Sequence, residues 1–355
     1  MMKAANPPSA NAYRALLTWI DNDAATTGAA HGRRIDWPRV VPFIAIHLGC
    51  LAVIWVGWSP FAVGLAIALY ALRMFAITGF YHRYFSHKAF RTSRLTQCGF
   101  AILGATAVQR GPLWWASQHR HHHAHADDEE DAHSPHRHGF MWAHMGWFLA
   151  RENFATRGEL VRDLAKFPEL RFLDRFDVLI PIAFGALLYG TGEWLAWAVP
   201  SLATDGAMLL VWGFCISTVA LYHATFTVNS LAHTFGWRRY ASRDQSRNSL
   251  LVALLTFGEG WHNNHHHFPG SVRQGFYPWE IDVTYYLLRA LSATGLIWDL
   301  RHVPAAIRDA RAAVLAQWTR VEQLRQRTAR LRASVLPPLE ENLRLSQSAF
   351  RAGEI

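Results

Sequence analysis

The sequence predicts an all-α integral membrane protein. Four transmembrane helices form two hairpins, and a helical cap on their cytoplasmic side gathers a His-rich site for two metal ions. Three observations predict this. Four apolar stretches approach the ~20 residues that cross a bilayer. The short connections at 57–60 and 201–206 carry no Lys or Arg, whereas 81–176 and everything after about 233 are rich in Arg. Finally, the chain holds 20 histidines, most of them in clusters beside the apolar stretches.

Residues 1–39 are polar, with Arg14, Arg33, Arg34 and Arg39, and read as a cytoplasmic N-terminal segment. No short apolar stretch with a cleavage site follows the first residues, so no signal peptide is expected. The expected spans are 40–57, 60–80, 178–200 and 207–231. The apolar run 95–108 is too short to span and reads as a buried or interfacial helix. Cap segments 81–177 and 232–300 complete a membrane domain over 40–300. Residues 305–335 read as one basic amphipathic helix, with seven Arg against one Asp and one Glu. It could lie on anionic lipid, pair in a coiled coil or pack on the cap. Pro337 and Pro338 end it, and a tail follows.

The formal net charge of +9 permits nucleic-acid binding. Its placement outside the short connections is instead the positive-inside pattern. Both termini and the cap are therefore expected in the cytoplasm, with no nucleic-acid partner. Cys50, Cys98 and Cys215 are far apart and form no CxxC, which argues against a disulfide framework or a thiolate metal site.

Four clusters carry the chemistry. They are His82-Arg-Tyr-Phe-Ser-His87, His119-Arg-His-His122-His123, Asn229-Ser-Leu-Ala-His233 and His262-Asn-Asn-His265-His266. Residues at i, i+3 and i+4 share a helix face. His119, His122 and His123 therefore project together, as do His262, His265 and His266, and Asn229 lies one turn from His233. His82 and His87, at i and i+5, need a break or unwinding to converge. A single zinc takes about four ligands, so nine imidazoles suit two metal ions with open positions. Iron, copper, nickel and zinc all accept imidazole. The alternative, a solvated basic loop, does not explain two HxxHH copies and an HxxxxH on one membrane side. His31, His47, His138, His144 and His302 read as structural. His121, His125, His133, His136 and His267 flank the clusters as candidates to orient ligands. The acidic run at 127–131 reads as a solvated loop offering acceptors to ligand N–H groups.

These boxes resemble those of the membrane fatty acyl desaturases of the stearoyl-CoA desaturase type. HRYFSH resembles that family's HxxxxH, HRHHH its HxxHH, and GEGWHNNHHHFP its final box; VNSLAH resembles the segment supplying one more His and an Asn. The likeness runs from about 40 to 285, including the four-span layout. It implies two irons held by His82, His87, His119, His122, His123, His233, His262, His265 and His266, with Asn229 reaching one iron through a water. It implies an O2-dependent enzyme that inserts a cis double bond into a long saturated acyl chain, at carbon 9 of an acyl-CoA. The metal centre supplies the hard chemistry, and the protein supplies position and water exclusion.

The likeness also places an acyl tunnel, closed by Tyr70 and Met74 on the second span and kinked near Gln109 and Trp115. For Tyr70 and Met74 the alternative is ordinary helix packing. Animal enzymes carry a basic residue two before the first His of the second box, where this chain has Ser117. Coenzyme A contacts there are in question; Arg110, Arg162 and Lys166 could compensate, or the substrate is an acyl-lipid. Electrons must come from an external donor of ferredoxin, flavoprotein reductase or cytochrome b5 type, since no HPGG motif, four-Cys set or flavin fingerprint is present. A hydroxylase on the same scaffold differs only in the fate of the acyl radical. A His-rich metal transporter would place its ligands near mid-span; here the spans hold only His47, Arg73, Glu193 and His223 as ionisable groups.

Overall fold

The computed structural model describes residue 17 and residues 19–23, 33–310, 323–328 and 330. The chain divides into two compact units, Met1–Val303 and Pro304–Ile355. In the second, Ala305–Arg308 and residues 323–328 are helical. Asp309 forms a turn after Arg308, Ala310 and Arg330 are helical, and residues 311–322, 329 and 331–335 of the expected helix, the tail, Arg14 and His31 lie outside the described residues.

Among the described residues, four helices are long and apolar enough to cross a bilayer: Arg39–Val56, Pro60–Ser86, Leu179–Ala198 and Gly206–Thr234. Local chemistry starts two of them. Pro60 stands at the first helical position, and the Ser59 hydroxyl accepts from Ala62 N at 3.1 Å; Asp205 accepts from Met208 N at 2.8 Å. Both are N-caps that satisfy amides left over at a helix start. The fourth span packs along the other three. Its crossing with the third is close enough to need Gly192, where an added Cβ would lie 2.3 Å from Asp205 O, as small residues allow in membranes.

The second and fourth spans are 27 and 29 residues long, well beyond the ~20 that cross a bilayer. They continue past the expected ends at 80 and 231, and the extra turns carry His82 and His233 into the cap. Inside the bundle the fully buried Arg73 joins these two spans. It donates to Thr218 Oγ1 at 2.7 Å, Ser217 Oγ at 2.5 Å and Thr106 O at 3.1 Å.

The second span does not unwind between its two histidines. It widens into a π-helix over Ala76–Ser86, and His87 N donates to His82 O at 3.3 Å. A π-helix bonds i to i+5, so the wider turn brings the pair onto one face that an α-helix would deny them.

The short run read as 95–108 forms the helix Arg94–Ala105, with Ser93 accepting from Thr96 N at 3.1 Å. Leu95 on it is 84% exposed while Ala101 and Ala105 are buried, as an interfacial helix requires. The helix Pro112–His125 carries the second box. Its first turn is held by Asp174 Oδ1, which accepts from Trp114 N at 2.7 Å. His262–His267 is a short helix of its own. The all-α expectation is corrected in one detail: Arg91–Thr92 pairs antiparallel with Ile297–Trp298. Two residues per strand are too few to leave an alternating pattern in the sequence.

Candidate metal centre

The nine histidines of the four boxes meet in the cap as two groups. His82, His87, His119, His123 and His265 form one, and His122, His233, His262 and His266 form the other. Within each group one ring nitrogen per residue lies within 4.8 Å of all the others. The HxxHH box is shared: His119 and His123 serve the first group, His122 the second. The third box is shared likewise, with His265 in the first group and His262 and His266 in the second. Nε2 atoms face one another at 3.0 Å for His82 and His265, 2.8 Å for His87 and His119, and 2.9 Å for His123 and His265. In the second group the distances are 3.0 Å for His233 and His262 and 3.1 Å for His262 and His266.

The outer nitrogens explain this convergence. His122 Nδ1 donates to Asp131 at 3.1 Å, His233 Nδ1 to Asp127 at 2.8 Å, and His266 Nδ1 to Asp244 at 3.0 Å. His82 Nδ1 donates to Glu259. A neutral imidazole carries one N–H, so a ring that donates from Nδ1 presents a bare lone pair at Nε2. Lone pairs aimed into one small space repel unless a cation sits between them. His122 Nε2 is buried with no hydrogen-bond partner among the described residues, as suits a lone pair that a metal would take up.

Electrostatics points the same way. Burial pushes His87, His119, His123, His262 and His265 well below the ordinary imidazole value, and neighbouring rings add to it. His266 is pushed down to about 4 by burial, against the pull of Asp244. Neutral rings keep their lone pairs for metal. Burial alone would raise Asp127, Asp131, Asp244 and Glu259. The imidazoles beside them, with Arg83 beside Glu259, hold all four below their usual range. Arg83 is balanced by Asp282 at 3.0 Å. The four remaining carboxylates match the charge of two divalent cations. Donor type, donor number and charge all fit a pair of metals.

The acidic run at 127–131 thus supplies Asp127 and Asp131 as acceptors, as expected, but Asp131 is buried and Asp127 half-buried against the centre, while Asp128, Glu129 and Glu130 are the exposed part of the run. Sequence reasoning missed Asp244 and Glu259. Glu259 stands three residues before His262, inside the last box, and could have been found there; Asp244 is 22 residues from His266 and left no signal. Among the flanking histidines, His133 lies tilted against His122 with ring centres 4.3 Å apart, and His136 Nε2 donates to His233 O at 2.8 Å. His125 pairs with Asp128 at 3.1 Å and His267 stacks on Tyr240 at 3.9 Å. His121 lies beside His125 and Glu130. His47, His223 and His144 form a separate hydrogen-bonded chain, at 3.3 and 3.0 Å.

A cavity of about 920 Å³ reaches the first group, where Thr78, His82, Trp115, His119 and Glu259 line it. Asn229 lines it too. Gln109 crosses its wall, donating to Thr225 Oγ1 at 2.8 Å and accepting from Trp115 Nε1 at 3.4 Å. Of the expected tunnel residues, Gln109 and Trp115 line the cavity. Tyr70 and Met74 are placed elsewhere: Met74 is fully buried in the apolar core, and the Tyr70 hydroxyl donates to Leu255 O at 2.5 Å. The cavity continues between the first and third spans past Pro42, Phe43, Ile182 and Tyr189. Ile182 is 61% and Tyr189 47% exposed, so it opens on the surface that lipid covers. Arg110 lines its mouth, whereas Arg162 and Lys166 are exposed and stand apart from it.

The fatty acid desaturase family profile matches residues 56–308. The chain is 36% identical to the sn-1 stearoyl-lipid 9-desaturase of Anabaena variabilis over 271 residues, 76% of this chain and 94% of that one. It is 36% identical to the icosanoyl-CoA 5-desaturase of Limnanthes douglasii, covering 75% and 72% of the two chains. It is 38% identical to the chloroplastic palmitoyl-monogalactosyldiacylglycerol delta-7 desaturase of Arabidopsis thaliana, covering 76% and 70%.

Proposed function

Because this chain belongs to the fatty acid desaturase family, we propose that it is an O2-dependent di-iron enzyme placing a cis double bond at carbon 9 of a long saturated acyl chain. The observation that carries the reading is the union of the two imidazole groups with one apolar cavity that ends on His82 and His119. In this reading the nine histidines are the ligands, and Asn229 would reach one of the two metals through a water. Two irons there would supply the oxidising power to take hydrogen from an unactivated C–H bond.

The protein's own residues do the rest. Asp127, Asp131, Asp244 and Glu259 fix the tautomer and direction of four rings. Trp115 stacks on His119 at 5.1 Å and, with Gln109 and Thr225, sets how the acyl chain bends past the metals. The apolar wall excludes water from the reacting carbons.

The acyl carrier is a coenzyme A thioester or a membrane lipid. The relatives are named for both, and the opening between the first and third spans favours a lipid. The membrane domain over 40–300 carries the reaction. Both termini and the site face the cytoplasm, where an external donor of ferredoxin, flavoprotein reductase or cytochrome b5 type delivers electrons. A basic face suits an acidic donor, and turnover insensitive to ionic strength would contradict that part.

The test is expression in a host that lacks unsaturated fatty acids, with a functional donor, and location of double bonds by mass spectrometry. New monounsaturated chains with the bond at carbon 9 are expected. A lipid profile identical to the empty vector would overturn the desaturase reading, and a bond at another carbon would overturn the assigned position alone.

A further inference from the structure

Two guanidiniums and one carboxylate meet at the mouth of the cavity. Arg39 is the first residue of the first span. Its guanidinium lies 4.6 Å from the centre of the Phe154 ring, and that of Arg110 lies 4.9 Å from the same ring. Arg110 is held firmly: its Nε donates to Asp177 at 2.7 Å and its Nη2 to Phe154 O at 3.1 Å. It takes a backbone φ of +71° to stand there, a strained conformation for a non-glycine residue that persists where the surroundings enforce it. Its Nη1 is buried without a hydrogen-bond partner. Arg39 has no carboxylate within salt-bridge distance among the described residues, because Asp177 serves Arg110 and Asp36 serves Arg151. Arg39, Arg110, Phe154 and Asp177 all line the cavity.

An apolar cavity leading to the metals therefore begins at a guanidinium, Arg39, whose nearby carboxylates Asp36 and Asp177 are bonded to other arginines, and at an unpartnered N–H of Arg110, at the depth where a span meets the lipid headgroups. Buried donors without partners are costly, and guanidinium forks suit phosphate oxygens. We infer that Arg39 and Arg110 form a seat for the phosphate of the acyl carrier, which fixes how far the acyl chain reaches toward the metals. The inference rests on the desaturase reading for its acyl ligand. The phosphate could belong to a glycerophospholipid or to coenzyme A.

Equilibrium binding of radiolabelled ligands to the purified, metal-loaded protein in detergent tests this without turnover. The probes are distearoyl phosphatidylglycerol, stearoyl-CoA and the phosphate-free distearoyl monogalactosyldiacylglycerol. Arg39→Gln should weaken one or both phosphate-bearing ligands by about tenfold or more, as expected for lost charge-assisted hydrogen bonds, and leave the galactolipid unchanged; which ligand weakens identifies the carrier. Arg39→Lys should retain most of the affinity. Asp177→Asn removes the compensating charge and should tighten the same ligands, a change that misfolding cannot produce. Equal effects of Arg39→Gln on all three probes, or no effect on either phosphate-bearing one, would overturn the seat. A protein that shows this discrimination yet forms no double bond would overturn the desaturase reading and leave the seat standing.

Discussion

Replacing Asp131 with Asn tests the logic of the metal centre most directly. Asp131 is buried, accepts from His122 Nδ1 at 3.1 and 3.2 Å, and also accepts from Asp127 N at 2.8 Å and His133 N at 3.1 Å. An Asn of the same shape keeps one acceptor for the two backbone amides. Its Nδ2 then faces one of those amides, donor against donor, and His122 Nδ1 keeps only the neutral Oδ1 as acceptor. Without the carboxylate's charge the His122 proton is held at Nδ1 less firmly and can move to Nε2, the atom that points at the second group, and a protonated nitrogen cannot bind metal. Loss of such a carboxylate partner typically lowers metal affinity ~10–100-fold, or about 1.4–2.7 kcal/mol. The effect should fall on the group of His122, His233, His262 and His266 and spare the other. Metal content against rising chelator, read by elemental mass spectrometry, should show one metal leaving Asp131→Asn at lower chelator than in wild type, with the second unmoved. Loss of both metals together, or an unchanged titration, would refute the assignment of His122 as a ligand oriented by Asp131.

Three further outcomes are expected. Burial raises Asp174 to about 6, above its ordinary value, so the folded protein binds this proton more tightly than the unfolded chain. The resulting stability is fully present below about pH 4 and is lost as pH rises through about 6, by ~3 kcal/mol in all. Asp174→Asn can still accept from Trp114 N and should flatten that slope; parallel melting-temperature profiles for the two proteins between pH 4 and 7 would contradict it. At Gly104 an added Cβ would lie 2.2 Å from the ring of Tyr81, which is fully buried and donates to Ala101 O at 2.8 Å. Gly104→Ala should therefore cost ~1–3 kcal/mol, and an unshifted thermal unfolding curve would show that the ring yields freely. Gln109→Leu breaks both hydrogen bonds to Thr225 and Trp115, so double bonds should scatter to neighbouring carbons at unchanged metal content. A single product at the wild-type position and rate would remove Gln109 from the positioning of the chain.

Much of this protein is written locally. The presence of four apolar spans and the i, i+3, i+4 spacing of the HxxHH boxes depend only on neighbours in the chain, and the sequence determined them without help. The same periodicity announced that His119, His122 and His123 share a helix face. It could not announce that the three divide between two groups, because that depends on which other helix stands opposite each ring.

Only the tertiary structure decided the rest, for reasons of distance and backbone geometry. The π-helical turn that aligns His82 with His87 has no composition signal, since it is enforced by what both rings must reach. Asp244 and Asp174 act on elements far away in sequence, and no periodicity links a carboxylate to a ring 22 residues on or to an amide 60 residues back. Tyr70 and Met74 occupy the expected turns of the second span, yet side-chain packing, which sequence spacing does not encode, placed them outside the cavity wall. The histidines specified which donors exist; the packing of the long second and fourth spans against the cap specified which lone pairs meet.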